Sequence, residues 1–128
     1  MRRRFRRKSG QDVTAVRLQL DFDALIYRKW GGTQTARSGD WLVDNGGDVY
    51  TVAADSFART YREVSPGRYA KSAPVWAEQA ARAGSVKTKE GRTHYKAGDW
   101  LVSNADDGSD AYAVSAATFL QLYEPDDA

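Results

Sequence analysis

Hydrophobic and polar positions alternate early in the chain and again around a short turn. Residues 16–22 alternate Val16, Leu18, Leu20 and Phe22 with polar neighbours, a period of two that predicts a half-buried strand. Further on, residues 41–43 and 49–52 form two short apolar runs on either side of Asn45-Gly46-Gly47-Asp48. Because Asn and Gly tolerate positive φ, this spacing predicts a β-hairpin.

A short helix is predicted after each return strand. Phe57 and Tyr61 are four residues apart, as are Phe119 and Tyr123, so each pair lies on one helical face. Ser115 precedes the second of these segments and is a good N-cap residue.

The hairpin occurs twice. Gly39–Asn45 recurs as Gly98–Asn104 with six of seven positions identical, at an offset of 59 residues that also pairs Gly32 with Gly91 and Val16 with Val75. After the motif the offset becomes 62, because the second copy has three more residues in Ala105–Ser109. The later pairs are Asp48 with Asp110, Tyr50 with Tyr112, Val52 with Val114, Ala54 with Ala116, Phe57 with Phe119, and Tyr61 with Tyr123. This ordered identity indicates a tandem duplication.

The predicted fold class is α+β, mostly β. We expect two tandem pseudo-symmetric units, each a β-hairpin plus a short helix, packed as one compact domain. A unit of ~50 residues has a marginal core, so the two are expected to share an apolar face around a pseudo-two-fold axis. The segment that begins at Val75 is predicted to start as a strand, with a helical turn as the alternative.

The predicted boundaries follow the repeat and the charge. They are a basic N-terminal arm at 1–11, unit 1 at 12–64, a linker at 65–71 around Ser65-Pro66-Gly67, unit 2 at 72–125, and an acidic tail at 126–128.

Composition excludes several kinds of site. The chain has no Cys and one His, which excludes disulfides, thiolate nucleophiles, Cys-based metal sites and multi-His metal sites. We therefore expect no cofactor and no metal. The longest apolar runs are a few residues long, so no membrane partner is expected.

The repeated motif resembles that of a family of small phage and bacterial domains named for a Pro-Gly-Asp-Tyr-Gly (PGDYG) motif. The matching residues are Gly39, Asp40, Trp41, Leu42, Val43, Tyr50, Val52, Phe57, Thr60 and Tyr61 in copy one, and Gly98, Asp99, Trp100, Leu101, Val102, Tyr112, Val114, Phe119 and Tyr123 in copy two. The motif Pro is replaced by Ser38 and Ala97. The resemblance implies a phage or bacterial setting, either the bacterial cytoplasm or a virion, and it implies no catalytic chemistry.

Two aspartates and one histidine are the candidate catalytic residues. Asp40 and Asp99 fit either a carboxylate pair brought together by pseudo-symmetry or two turns whose side chains accept backbone amides, and the second interpretation is favoured. His94 fits a general base, but no Ser or Asp stands at a recognisable spacing, so a solvated strand residue is favoured. No catalytic residue is therefore predicted.

Aromatic residues divide by whether they are repeated. Trp41 and Trp100, together with the Gly-Asp pairs at 39–40 and 98–99, form the repeated structural motif and are interpreted as fold residues. Trp30 and Trp76 are unpaired in the repeat and are the better candidates for a partner surface.

Basic residues are the most direct functional indication. The first eight residues carry six positive charges and no acid, and the rest carries 13 positive against 17 negative, a net of −4. The predicted partner-binding residues are Arg2, Arg3, Arg4, Arg6, Arg7 and Lys8 in the arm, and Lys87, Lys89, Arg92 and Lys96 in a second basic stripe. The acidic tail provides an alternative partner for the arm.

The leading hypothesis is a non-enzymatic binding module that engages a protein or a nucleic acid through the arm and the adjacent surface. One alternative is a structural or assembly subunit, since stacked units leave sheet edges. A small hydrolase or nucleotide-binding protein that uses Asp40, Asp99 and His94 is the least favoured.

Overall fold

A computed structural model describes residues 2–126 and shows a mostly β protein of the α+β class. Within these residues the strands are β1 (Arg3–Arg7), β2 (Val13–Arg17), β3 (Leu25–Lys29), β4 (Gly32–Ala36), β5 (Trp41–Asn45), β6 (Asp48–Val52), β7 (Tyr61–Ser65), β8 (Arg68–Lys71), β9 (Val75–Gln79), β10 (Gly84–Lys87), β11 (Arg92–Tyr95), β12 (Trp100–Ser103), β13 (Ala111–Val114) and β14 (Tyr123–Pro125). The helices are α1 (Ala54–Thr60) and α2 (Ala116–Leu122).

The strands form two matching antiparallel sheets. Unit 1 has the order β6-β5-β2-β8-β7 and unit 2 the order β13-β12-β9-β1-β14. Each unit also carries a separate hairpin, β3-β4 in unit 1 and β10-β11 in unit 2. The strand order is therefore the same in both units, as a duplication requires.

Local predictions from turn and helix chemistry are confirmed. Gly46 and Gly47 have φ of 63° and 98° and form the two-residue turn between β5 and β6, since Asn45 pairs with Asp48. The Ser115 side chain accepts a hydrogen bond from the Thr118 N–H and caps α2. The segment at Val75 is a strand.

The N-terminal basic segment is a strand and not a separate arm. β1 lies between β9 and β14, with Phe5 opposite Val75 and Arg7 opposite Tyr123. β8 fills the equivalent place in unit 1, where Lys71 is opposite Tyr61. The predicted arm at 1–11 and linker at 65–71 are therefore wrong as boundaries, because each contains a sheet strand.

The acidic tail pairs with the outer face of β1 as far as the described residues extend. Asp126 lies 3.2 Å from Arg4, and Glu124 lies 3.1 Å from Arg6. Residues 127 and 128 of the predicted tail lie outside the described part of the chain.

The first predicted strand is displaced toward the N-terminus. β2 buries Val13 and Ala15, whereas Val16 is 57% and Leu20 is 66% exposed. Val13, and not Val16, is therefore the counterpart of Val75. The strand ends early because its pairing with β5 stops at Arg17. The next residue, Leu18, hydrogen-bonds to the Gly-Asp turn instead: the Leu18 N–H donates to Asp40 O, and the Gly39 N–H donates to Leu18 O.

Each unit buries its own aromatic core. In unit 1, Trp41 stacks on Phe57 at 4.1 Å, and in unit 2, Trp100 stacks on Phe119 at 4.2 Å. Phe5 from β1 completes the core of unit 2. The expected shared apolar face is therefore not how the described residues pack, and Trp41 and Trp100 each pack against the core of their own unit.

The units meet where the two hairpins cross. Gln34 of β4 bridges to Gly91, and the Thr35 N–H donates to Glu90 O at 2.6 Å. A Cβ on Gly32 would lie 2.3 Å from Arg92 O, and one on Gly91 would lie 2.0 Å from Thr33 O. These two contacts are equivalent under the repeat, so the crossing marks the pseudo-two-fold axis.

Candidate functional site

The two motif aspartates are fully used by the fold. The Asp40 carboxylate accepts from Arg37 N at 2.8 Å and from Ala54 N at 3.1 Å, which ties the Gly-Asp turn to the start of α1. Asp99 accepts in the same way from Lys96 N at 2.9 Å and Ala116 N at 3.3 Å. Each carboxylate therefore satisfies backbone amides in its own unit, and the turn interpretation holds over a carboxylate pair.

His94 belongs to the hairpin crossing. It is exposed on β11, and its backbone N–H donates to Trp30 O at 2.9 Å. A Cβ on Gly31 would lie 3.0 Å from the His94 ring. Within residues 2–126 its imidazole makes no hydrogen bond to a Ser or Asp. The geometry gives this ring a packing role beside the Trp30–Gly31 turn.

Many of the predicted basic residues already have partners. Besides the ion pairs that Arg4 and Arg6 of β1 make, Lys8 donates to Leu120 O at 2.7 Å, Lys89 donates to Asp55 and Ser56, and Arg92 donates to Ser85. Lys87 and Lys96 are exposed. Trp76 is half-buried beside Arg4 on β1, and Arg2 and Arg3 are exposed.

Arg7 differs from the rest of the predicted arm. Successive side chains of β1 lie on opposite faces of the sheet, so Phe5 and Arg7 lie on the inner face and Arg4 and Arg6 on the outer face. Lys71 is its counterpart on β8 and is 9% exposed. The fold thus carries two cations from equivalent strands into the space between the units.

These cations line a cavity of about 310 Å³ to which both units contribute. Its central side chains form three pairs related by the repeat: Arg7 with Lys71, Tyr50 with Tyr112, and Tyr61 with Tyr123. We call these six residues the tyrosine cage.

A chain of three hydrogen bonds crosses the cage. Lys71 Nζ donates to Tyr112 Oη at 2.7 Å, the hydroxyls of Tyr112 and Tyr123 are 3.2 Å apart, and Arg7 Nη1 donates to Tyr123 Oη at 3.3 Å. Lys71 also lies 4.9 Å from the Tyr112 ring centroid and Arg7 lies 5.4 Å from that of Tyr123, both within cation–π range.

Unfilled donors remain in the cage. Arg7 Nε and Nη2 are buried without a partner. Only one hydroxyl hydrogen is needed between Tyr112 and Tyr123, so the other hydroxyl has a hydrogen to donate. Asn104 Oδ1, also on the cavity wall, is a buried acceptor without a partner. A ligand of the cage must therefore present mainly hydrogen-bond acceptors.

The acids on the cavity wall are engaged elsewhere. Asp48 pairs with Lys29 at 2.7 Å, and Asp110 accepts from Ser56 at 2.7 Å and pairs with Arg59 at 3.2 Å. Among the described residues, no carboxylate lies within ion-pair distance of Arg7 or Lys71. Within residues 2–126 the two cations therefore have no carboxylate counterion.

Two more acids line the cavity: Asp99, which accepts from Lys96 N and Ala116 N, and Glu90, which binds the backbone just before α1. The Glu90 carboxylate accepts from Ala53 N at 2.9 Å. Burial, with a smaller contribution from the nearby Asp110 and Asp40 carboxylates, raises the pKa of Glu90 to about 6 against the lowering effect of the backbone amides.

The tyrosine hydroxyls report the electrostatics of the cage. Burial raises the pKa of Tyr50 and of Tyr112 well above the ordinary value. Burial acts on Tyr123 in the same direction, but Lys71 and Arg7 outweigh it and lower the pKa of Tyr123. The cage therefore favours negative charge at the Tyr123 hydroxyl.

A second, basic groove adjoins the cage. Arg7 and Lys71 also line this groove of about 570 Å³, together with Arg6, Lys8 and Arg62. Its two acids are Asp12 and Glu124. Five positive against two negative side chains attract anions toward the two cage cations.

The sequence prediction named Arg7 but not the site. Lys71, Tyr50, Tyr61, Tyr112 and Tyr123 were absent from the predicted partner surface, although the repeat pairs the tyrosines. The sequence does contain one signal for this site, a cation two residues after an aromatic residue. It occurs in both Phe5-Arg6-Arg7 and Tyr69-Ala70-Lys71.

Over the described part of the chain, no group of three or more His, Asp or Glu residues is arranged to hold a metal ion. Neither helix there has the length and hydropathy needed to cross a bilayer. Comparison with protein-family models, with curated proteins and with solved structures finds no match to this chain.

Proposed function

We propose that this protein is a non-enzymatic binding module whose site is the tyrosine cage, and that its ligand presents an anionic group to Arg7 and Lys71. The observation that carries the proposal is that Lys71 and the Nε and Nη2 atoms of Arg7 are buried with no carboxylate partner among residues 2–126. Burying a charge without a counterion is unfavourable, so an anion that enters the cage relieves a cost that the fold already bears.

The directions of the unfilled hydrogen bonds support the same class of ligand. Arg7 offers the N–H groups of its Nε and Nη2 atoms and the tyrosine pair offers one O–H, and carboxylate and phosphate groups supply the acceptors that these donors need. Charge-assisted hydrogen bonds of this kind are about twice as strong as neutral ones.

The outer face of β1 supports a polyanion partner less well. Arg4 and Arg6 lie beside Asp126 and Glu124, so a nucleic-acid backbone must compete with these carboxylates for them. In protein–nucleic acid complexes, most of the affinity comes from cations that neutralise phosphates. Cations that are already paired with carboxylates neutralise fewer phosphates.

The test is calorimetric titration with small anions, namely inorganic phosphate, ribose 5-phosphate and a nucleoside monophosphate, on wild type and Lys71→Met. Methionine keeps a flexible stem against the tyrosine rings and removes the charge. Losing a hydrogen bond to a charged group costs about 1.5–3 kcal/mol, so we expect affinity to fall at least ~10-fold.

Lys87→Met is the matched control, because Lys87 is exposed on β10 and does not line the cage. Circular dichroism of both variants checks that the fold is kept. If none of these anions binds the wild type, or if Lys71→Met binds them as tightly as Lys87→Met does, the proposed site is wrong.

A further inference from the structure

Trp30 occupies a backbone position that suits a different residue. Trp30 and Gly31 form the two-residue turn between β3 and β4, with φ of 56° and 79°. Asn, Asp and Gly are the residues that adopt this left-handed conformation readily, and a bulky side chain there is an outlier. The backbone therefore gives no reason for a tryptophan at this turn.

Within its own hairpin the indole makes one cation–π contact, with Lys29, whose Nζ lies 5.3 Å from the ring centroid. The counterpart of Trp30 under the repeat is Lys89, and the second hairpin packs in its unit without an aromatic residue there. Strained residues persist where the surrounding structure over-determines them, and they cluster at ligand sites. The explanation then lies in what the indole contacts.

The indole lies at the rim of the cage. It lines the same cavity as Arg7 and Lys71, its ring is 5.6 Å from that of Tyr50, and it remains 39% exposed. An aromatic ring that lines a cavity and stays partly exposed offers a face on which a planar ligand can stack.

The turn that carries Trp30 is held from three sides. Trp30 O accepts from His94 N at 2.9 Å, and Lys29 O accepts from the buried Gln34 amide at 3.0 Å. Gly31 packs against the His94 ring. A ring on such a supported turn is already positioned before a ligand binds, which lowers the entropic cost of stacking.

We propose that the ligand of the tyrosine cage is a small molecule of the nucleoside monophosphate class, a planar aromatic ring joined to an anionic group. The ring stacks on Trp30, and the phosphate accepts hydrogen bonds from Arg7 and Lys71. This inference rests on the proposed function and adds the ring. A volume of about 310 Å³ is at the small end of ligand pockets, in accord with one nucleotide.

The experiment compares three probes by calorimetric titration: a nucleoside monophosphate, ribose 5-phosphate as the anion without the ring, and the nucleoside as the ring without the anion. The four common bases are each used. Base stacking on an aromatic side chain is expected to make the monophosphate bind about tenfold tighter than ribose 5-phosphate.

Three variants separate the contribution of the ring from that of the anion. Trp30→Asn suits the left-handed turn, so it keeps the fold and should reduce the tenfold preference to about twofold while leaving ribose 5-phosphate affinity unchanged. Trp30→Phe retains a ring and should restore most of the preference. Lys71→Met should weaken both phosphates and leave binding of the nucleoside unchanged.

Each outcome decides between the two claims. Equal affinity for the monophosphate and ribose 5-phosphate overturns the ring inference and leaves the anion site standing. A preference that survives Trp30→Asn overturns stacking on Trp30. If neither phosphate binds the wild type, both the inference and the proposed function are wrong.

Discussion

Gly91→Ala should be among the most damaging single-methyl changes in this protein. Gly91 lies at the hairpin crossing, and a Cβ there would be 2.0 Å from Thr33 O and 3.2 Å from the Gln34 side-chain oxygen. The first distance is ~1.5 Å short of an optimal contact of ~3.5 Å. Both near atoms belong to β4, so the hairpins must move apart.

The cost follows from what this movement disrupts. Overpacking of this kind costs about 1–3 kcal/mol. Separation also strains the bonds from Thr35 N to Glu90 O at 2.6 Å and from Gln34 Nε2 to Arg92 O at 2.8 Å, each worth about 1 kcal/mol. The free energy of unfolding should therefore fall by about 3–5 kcal/mol, a large part of the 5–15 kcal/mol typical of a domain.

Urea unfolding followed by tryptophan fluorescence and circular dichroism measures this change. Gly46→Ala is the matched control: its φ of 63° makes alanine strained by about 1–2 kcal/mol, but nothing lies within 4 Å of the new methyl group. Gly32→Ala, the counterpart of Gly91→Ala, should cost a similar amount, and the double variant should cost less than the sum because both perturb one crossing. If Gly91→Ala is no more destabilising than Gly46→Ala, the close crossing is not a feature of the folded protein.

Two other changes test the roles assigned to carboxylates. Asp40→Ala removes the acceptor for two backbone N–H groups and should lower the free energy of unfolding by about 2–3 kcal/mol, with ligand affinity unchanged. A larger effect on binding than on stability would instead place Asp40 in the binding site. Glu90 has a folded-state pKa of about 6 against an ordinary 4.5, so the folded protein binds more protons between these values and loses stability as pH rises through them. Urea titrations from pH 4.5 to 6.5 should show wild type losing up to about 2 kcal/mol relative to Glu90→Gln, and parallel curves for the two proteins would contradict the buried-carboxyl assignment.

Local chemistry explains which parts of the fold were predictable. The Gly46-Gly47 turn and the Ser115 cap depend on residues adjacent in sequence, and each forms as expected. The helices follow from the four-residue spacing of their aromatics. Such features need no knowledge of the rest of the chain.

The strand β1 was not predictable by the same means. It has one apolar residue, Phe5, among four arginines, so its composition indicates a solvated arm. Its strand conformation comes from partners more than 60 residues away, with Phe5 in the core of unit 2 and Glu124 opposite Arg6. Tertiary pairing overrode the local composition, as it often does for strands.

The cage was missed for a related reason. Tyr123 is 5% exposed and belongs to the core of unit 2, which agrees with a core interpretation of the repeated aromatics. The same residue carries its hydroxyl to Tyr112 and Arg7. A tyrosine that lies only in a core and a tyrosine that also reaches a polar cavity have the same spacing in sequence. The sequence pattern therefore does not distinguish them.

The duplication itself accounts for the unbalanced charge of the cage. A residue close to a pseudo-two-fold axis lies near its own counterpart, so a cation there is joined by a second cation, as Arg7 and Lys71 line the same cavity. The same symmetry also places the counterparts Asp48 and Asp110 on the cavity wall, but they pair with Lys29 and Arg59, so in our proposal the ligand supplies the negative charge that faces Arg7 and Lys71. What the repeat leaves unequal then determines which occupant fits: Trp30 has Lys89 as its counterpart, and Glu90 has Gly31. In our proposal the shared residues hold the anion and the unshared Trp30 selects the ring attached to it.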